Sequence, residues 1–241
     1  MPDSFYIITC SCALFQNQSY SELIMLNMAV FDSDIWIAKG ITDYFSSPDV
    51  DAYNCHSLDE LNQLMQEQNI KILIAELTTE KNNLMECVSF LKKLSRNYSE
   101  LRLVVYTRLT DPALIKFLLQ YLPRCKLVLK RDPILTLAVN LFSHSDQRHS
   151  ALLAEEWRAI AAQEETLTPR EFAMLGQFAG GHSYKIIARN IDLSTKTISY
   201  YKQRIMNKLG CQNIAELRRR MHNIGLLKHQ FVLQEQTSCA K

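Results

Sequence analysis

The chain has 241 residues, 47% of them hydrophobic and 22% charged, which excludes a wholly disordered or collagen-like chain and fits two modest domains or one large one. With 6 Gly and 6 Pro there is no low-complexity linker and no Gly-rich phosphate cradle. The net charge of +2 hides an asymmetry: residues 166–230 hold 11 Lys and Arg against 3 Asp and Glu, whereas residues 1–165 hold 15 against 21. A basic C-terminal third on an acidic body points to a polyanion-binding module joined to a part that does not bind polyanions.

The 7 Cys are irregularly spaced and read as reduced thiols of a cytosolic protein. The close pair Cys10 and Cys12 has no His at ligand spacing, so no metal is expected. No apolar run reaches the roughly 18 residues of a membrane span, so no membrane partner is expected. Phe5 to Phe15 lacks a basic flank and a cleavage site and does not read as a signal peptide.

Residues 1–27 precede the first predicted strand; they are either an extension, or Met25 or Met28 is the natural start. From Met28 to Phe142 strand-like runs alternate with helical patterns. Strands are predicted at Met28 to Phe31, Val50 to Tyr53, Ile70 to Ala75, Leu101 to Thr107 and Lys126 to Lys130. Helices are predicted at Ile35 to Phe45, from the Ser57 cap to Gln68, Leu84 to Leu94, Asp111 to Tyr121 and Pro133 to Phe142. Five strands alternating with five helices imply a doubly wound parallel sheet, whose functional loops lie at the carboxyl ends of the strands. Residues 143–163 are polar, then Ala- and Glu-rich, and read as a linker; His144 and His149 in it have no partner motif.

Thr168-Pro169-Arg170-Glu171 is a capping box with Pro at the first helical position. Phe172, Leu175, Phe178 and Ala179 follow on one stripe, and Gly180-Gly181 stops the helix. Ser183 caps a short helix whose apolar face is Ile186, Ile187, Ala188 and Ile191, before a turn at Asp192-Leu193. Ser194 starts a third helix with Ile198, Tyr201, Ile205 and Leu209 inward and a polar, basic outer side, closed by Gly210. Two short helices with a tight turn, the second basic outside, form a helix-turn-helix sized for a major groove. Asn213 caps a last helix carrying Arg218-Arg219-Arg220, and residues 231–241 form a tail.

Thr168-Pro169-Arg170-Glu171, Gly180-Gly181, Ile186-x-Ala188-x-x-Ile191, Ser194-x-Lys196-Thr197-Ile198 and Lys208-Leu209-Gly210 together resemble the LuxR-type (NarL/FixJ) DNA-binding domain over roughly 60 residues. The resemblance implies an all-α DNA-binding domain over residues 164–230. It places Ser199, Tyr200 and Gln203 at base edges and Thr195, Lys196, Thr197, Lys202 and Lys208 at phosphates. Hydroxyls and amides suit base edges, and Lys neutralises phosphate. Tyr201 stands where many members carry His.

The (βα)5 order before such a domain resembles a response regulator, with a receiver-like domain over residues 28–142. The resemblance implies acidic residues after strand one for Mg²⁺, a phosphate-accepting Asp after strand three, Thr or Ser after strand four and Lys after strand five. Thr107 and Lys130 match; Asp32-Ser33-Asp34 keeps two carboxylates with Ser33 at the usual second acidic place, and Glu76 replaces the Asp. Glu carries its carboxylate one methylene further, into the space of the phosphoryl group, and can pair permanently with Lys130. Asp32, Asp34, Glu76, Thr107 and Lys130 therefore read as a degenerate receiver pocket.

The chain is thus expected to be a cytoplasmic transcriptional regulator, not an enzyme, with no cofactor or catalytic residue. The expected partners are double-stranded DNA and a second copy of the chain or another LuxR-type response regulator. Within the family it looks most like the auxiliary regulators of the Rcs capsule system and the bgl operon activator. The resemblance implies pairing near strands four and five; the stripe Leu114, Phe117, Leu118 and Tyr121 reads as facing the sheet for most of its length, and the exposed part of that helix, at Lys116 and Gln120, as the side that pairs. The alternative is a phosphorylation-responsive regulator using Asp32, Asp34 and an unconventional acceptor such as Thr78.

Overall fold

The computed structural model describes residues 26–142, 159–160, 162, 165–179 and 182–226. The expectations for the N-terminal extension, most of the linker, the Gly180-Gly181 stop and the tail lie outside these residues. Five parallel strands form one sheet in the order β2-β1-β3-β4-β5: β1 (Leu26–Phe31), β2 (Val50–Cys55), β3 (Ile70–Ala75), β4 (Arg102–Thr107) and β5 (Cys125–Leu129). Five helices alternate with them: α1 (Ile35–Phe45), α2 (Leu58–Glu67), α3 (Leu84–Asn97), α4 (Pro112–Tyr121) and α5 (Ile134–Phe142).

Period two along the central strands divides the core. Met28, Val30, Ile72 and Ile74 face one layer with Ala38 and Ile41 of α1 and Leu137 and Leu141 of α5. Ala29, Phe31, Leu73 and Ala75 face the other layer, under α2, α3 and α4. Strands buried on both faces explain the near-continuous apolar runs. Caps start the helices: Asp34, Ser57 and Asp111 accept backbone N–H groups of α1, α2 and α4, and Asn83 with Glu86 closes a capping box on α3.

The C-terminal part is all-α, with α6 (Pro169–Ala179), α7 (Tyr184–Asn190), α8 (Thr195–Lys208) and α9 (Ile214–Asn223). The capping box of α6 forms, Glu171 N–H to Thr168 Oγ1 and Thr168 N–H to Glu171 Oε2, at 3.2 and 2.8 Å. Asp192 takes φ 52° in the turn between α7 and α8, the left-handed region a short polar side chain tolerates. Ile187 is fully buried, but Ile186 is 46% exposed, so the apolar face of α7 is narrower than its spacing predicts. Tyr201 is half-buried on the core, with the Arg170 guanidinium 5.7 Å from its ring centroid.

One apolar cluster runs through both parts of the chain. Phe117 of α4 stacks on Phe172 of α6 with centroids 4.5 Å apart, and Tyr121 stacks on Phe117 at 4.9 Å. The stripe of α4 thus faces the sheet, as its spacing predicts, and its aromatic end also meets the chain's own C-terminal domain. Arg220 Nε donates to Asp111 Oδ2 at 2.6 Å, a pair at the seam with both side chains largely covered. The carbonyl of Gly225, just past α9, accepts from Leu84 N–H.

Gly225 has φ +73°, and a Cβ built on it lies 2.5 Å from the Thr78 methyl. Gly225→Ala is expected to cost about 1–2 kcal/mol from the left-handed backbone alone and to part the α9 end from Thr78. Thermal unfolding with limited proteolysis of the full chain measures it; an unchanged midpoint and cleavage pattern contradict this account of the seam.

Candidate nucleic-acid interface and receiver-like pocket

Helix α8 carries Lys196, Lys202, Arg204 and Lys208 and no acidic residue. Its N-cap Ser194 accepts from Thr197 N–H at 3.0 Å, and the two hydroxyls lie 2.8 Å apart. Ile198, Ile205 and Met206 anchor the inner side in the core. Thr195, Lys196, Ser199, Tyr200 and Gln203 are exposed on the outer side, Tyr200 at 58%. Spacing of three and four residues puts Lys196, Ser199, Tyr200 and Gln203 on one stripe. Lys202 is half-buried at the side, with its ammonium 5.3 Å from the Tyr184 ring centroid.

Two further side chains join this surface. Asn207 accepts from Gln203 Nε2 at 3.1 Å, and Arg204 lies 5.8 Å from the Tyr200 ring centroid while reaching Glu171 Oε1 at 3.4 Å. The i, i+4 spacing from Gln203 signals Asn207. Contacts of the N-terminal domain reach α6 and the α9 end, and the outer side of α8 stays open to solvent.

Lys208 departs from its expected role. Its side chain is 6% exposed, and its ammonium donates to Glu171 Oε2 and to the Thr166 carbonyl, both at 2.8 Å, with Glu165 at 3.5 Å. It neutralises the buried carboxylate of the α6 capping box instead of facing phosphate. Burial pushes the Glu171 carboxyl up, but the Lys208 and Thr168 hydrogen bonds outweigh this and hold it below the usual range.

The strand ends build the second site. Asp32, Glu76, Thr107 and Lys130 follow or close β1, β3, β4 and β5, and all four side chains are buried. Lys130 Nζ lies 2.5 Å from Asp32 Oδ2 and 2.9 Å from Glu76 Oε2. Glu76 Oε1 accepts from the Thr107 hydroxyl at 2.5 Å and from Leu77 N–H at 2.6 Å. Asp32 Oδ1 accepts from Asp34 N–H at 3.0 Å. Asp34 itself stands at the rim as the α1 cap, with Arg108 Nη2 3.1 Å away. The Ile37 N–H bond, opposed by slight desolvation and helped by Arg108, holds the Asp34 carboxyl below its ordinary value. Thr78 lies against Gly225 rather than in the pocket.

Among the described residues no helix is long and apolar enough to cross a membrane, and no three His, Cys, Asp or Glu are placed to hold a metal ion. Cys55, Cys87, Cys125 and Cys211 are free and buried; desolvation pushes the first three thiols up to about 12.

A parallel (βα)5 domain with a receiver-like pocket is thus followed by a capped helix-turn-helix. Residues 165–221 match the bacterial regulatory proteins of the luxR family. The chain is 27% identical to the transcriptional regulatory protein RcsB of Escherichia coli (strain K12) over 147 residues, 59% of this chain and 68% of that protein. It is 37% identical to the transcriptional regulatory protein FixJ of Bradyrhizobium diazoefficiens over 68 residues, 28% of this chain and about a third of the relative's length. RcsB from Salmonella typhimurium shares the fold at TM-score 0.57 and 23% identity, over 83% of this chain and 98% of that one. The RcsB–DNA complex does so at TM-score 0.52 and 22% identity, over 83% and 98%.

Lys208→Ala leaves Glu171 with only the half-exposed Arg204 as a cation and is expected to destabilise the C-terminal domain by about 3 kcal/mol. Because the Glu171 carboxyl is lowered on folding, its contribution is full above the ordinary carboxylate range and fades as pH falls through it. Urea unfolding of wild type and variant at neutral and acid pH measures both; a fully stable variant contradicts the structural role.

Proposed function

We propose that the chain is a cytoplasmic DNA-binding transcriptional regulator, without enzymatic activity, whose receiver-like domain mediates pairing without phosphorylation. The observation that carries this reading is the Glu76 carboxylate, held by Lys130, Thr107 and the Leu77 amide in the place a phosphoryl group needs. The donor set also fits Mg²⁺ poorly. Asp32 spends one oxygen on Lys130 and the other on the Asp34 amide, and Asp34 is turned to Arg108. RcsB, whose fold the chain shares, forms a complex with DNA and binds DNA as dimers, which supports DNA and a like partner here.

DNA contact is assigned to the outer side of α8, with Ser199, Tyr200 and Gln203 toward bases and Thr195, Lys196, Thr197 and Lys202 toward phosphates. Arg204 and Asn207 border them. Pairing is assigned to α1 and α5, whose Ile35, Trp36, Leu135 and Val139 are 54–84% exposed. Helix α5 has no charged residue, and Lys39 pairs with Asp43 on α1, so this surface meets a second copy of itself without repulsion. Pairing with another LuxR-type regulator in place of a second copy is the other outcome of the test.

Incubation with a small phosphodonor and Mg²⁺ is expected to add no mass to the intact protein; stoichiometric addition identifies a phosphorylation-responsive regulator instead. Gln203→Ala is expected to lose about 1–3 kcal/mol on a preferred site only, and Lys202→Ala to weaken all sequences alike, read by titration on specific and random duplexes. Equal losses for both variants on both duplexes contradict the assigned face. Trp36→Glu with Leu135→Glu is expected to convert a dimer to a monomer in sedimentation; persistence of the dimer moves pairing elsewhere.

A further inference from the structure

A cleft of about 410 Å³ opens at the seam between α3, the end of α4 and the start of α6. Its walls are Lys92, Lys93, Arg96 and Asn97 of α3, with Tyr121 and Pro169 opposite. No Asp or Glu lines it. The spacing 92, 93, 96 puts the three cations on one side of α3, away from Val88, Leu91 and Leu94, which face the core. Elsewhere Lys39, Lys71, Lys130 and Lys208 each sit on a carboxylate. No carboxylate of the described residues pairs with Lys92, Lys93 or Arg96.

The Lys92 ammonium instead lies 3.1 Å from the centroid of the Tyr121 ring. That ring is the outer member of the Tyr121–Phe117–Phe172 ladder that crosses between the domains. The first turn of α6 is already capped by Thr168 and Glu171, so the cations and not the helix end give the cleft its character. A concave site of one charge sign concentrates counter-ions, and its volume falls in the range of small-ligand sites, about 300–1,000 Å³.

We propose that this cleft is a phosphate-binding site that takes adjacent phosphate groups, and that its occupancy strengthens the docking of the two domains. Three cations in one cleft match two or more phosphates better than one, and Ser89 and Asn97 add neutral hydrogen-bonding groups at its edge. A ligand seated there touches α3 and α4 on one side and the start of α6 on the other. It therefore binds the docked arrangement in preference to an undocked one and stabilises it by linkage. The phosphates come either from a free diphosphate or triphosphate ester or from the backbone of bound DNA flanking the α8 contact.

The test uses the full chain. Inorganic pyrophosphate is titrated calorimetrically at constant ionic strength into the wild type, Lys93→Glu/Arg96→Glu and the milder Lys93→Gln/Arg96→Gln. All three proteins are first checked for equal unfolding midpoints without ligand. The proposal expects saturable binding, at least tenfold weaker in the charge-reversed variant and intermediate in the neutral one, with pyrophosphate raising the unfolding midpoint most in the wild type, less in the neutral variant and least in the charge-reversed one. If DNA is the source, pyrophosphate does not bind. The charge-reversed variant then lowers DNA affinity, and its salt slope falls by about 0.9 per lost phosphate contact, with Gln203-dependent sequence preference unchanged. Unchanged pyrophosphate binding together with an unchanged salt slope in the charge-reversed variant overturns the proposal and leaves the α8 assignment standing.

Discussion

The Lys130 ammonium, buried between the carboxylates of Asp32 and Glu76, is the constraint from which the N-terminal domain is organised. Two carboxylates and one cation out of water are tolerated only when every remaining oxygen is bonded, because an unpaired buried charge costs several kcal/mol. The Asp34 amide supplies Asp32, and the Leu77 amide and Thr107 hydroxyl supply Glu76. Those donors exist only if β1, β3, β4 and β5 end level with one another, which the parallel registers enforce. The extra methylene of Glu76 thus completes the network: its oxygens reach both Lys130 and Thr107 from the end of β3.

The same loops hold the C-terminal domain. Leu77 follows Glu76 and is fully buried, and Thr78 follows Leu77 and packs on Gly225. On the neighbouring strand, Thr107 and Arg108 bond Glu76, and Asp111 three residues later both caps α4 and receives Arg220. The pocket and the seam are therefore separated by two or three residues on each of two loops. The hydrogen bonds of the pocket and the contacts of the seam thus constrain the same two loops.

Elements whose forces are local were legible in the sequence. The box at Thr168 and Glu171, the caps Ser183, Ser194 and Asn213, and the period-two strands all rest on contacts within four residues or on one alternating face. What escaped depended on partners distant in sequence. Lys208 at the end of a basic helix reads as a solvent cation, and only the fold brings Glu171, 37 residues away, beneath it. Arg220 reads as one of three like arginines, yet only it turns to Asp111, 109 residues away. Phe117 and Tyr121 read as part of a stripe on the sheet, and only the fold adds Phe172 of the C-terminal domain beside them. In the pocket, residue types were legible from the strand ends, while the rim position of Asp34 was set by its duty as a helix cap.

The seam also decides which surface is left for pairing. The C-terminal domain occupies the side of the sheet covered by α3 and α4. Helices α1 and α5 cover the opposite face, and there Trp36, Ile35, Leu135 and Val139 stand in water without a partner. Exposed apolar side chains in one region, almost without net charge, are rare on a monomer unless something covers them. A contact made through α1 and α5 leaves the aromatic ladder, the Arg220–Asp111 pair and the open side of α8 untouched. The exposed apolar face of α1 and α5, the docked seam and the open side of α8 thus occupy three separate surfaces, so a contact at one does not undo another.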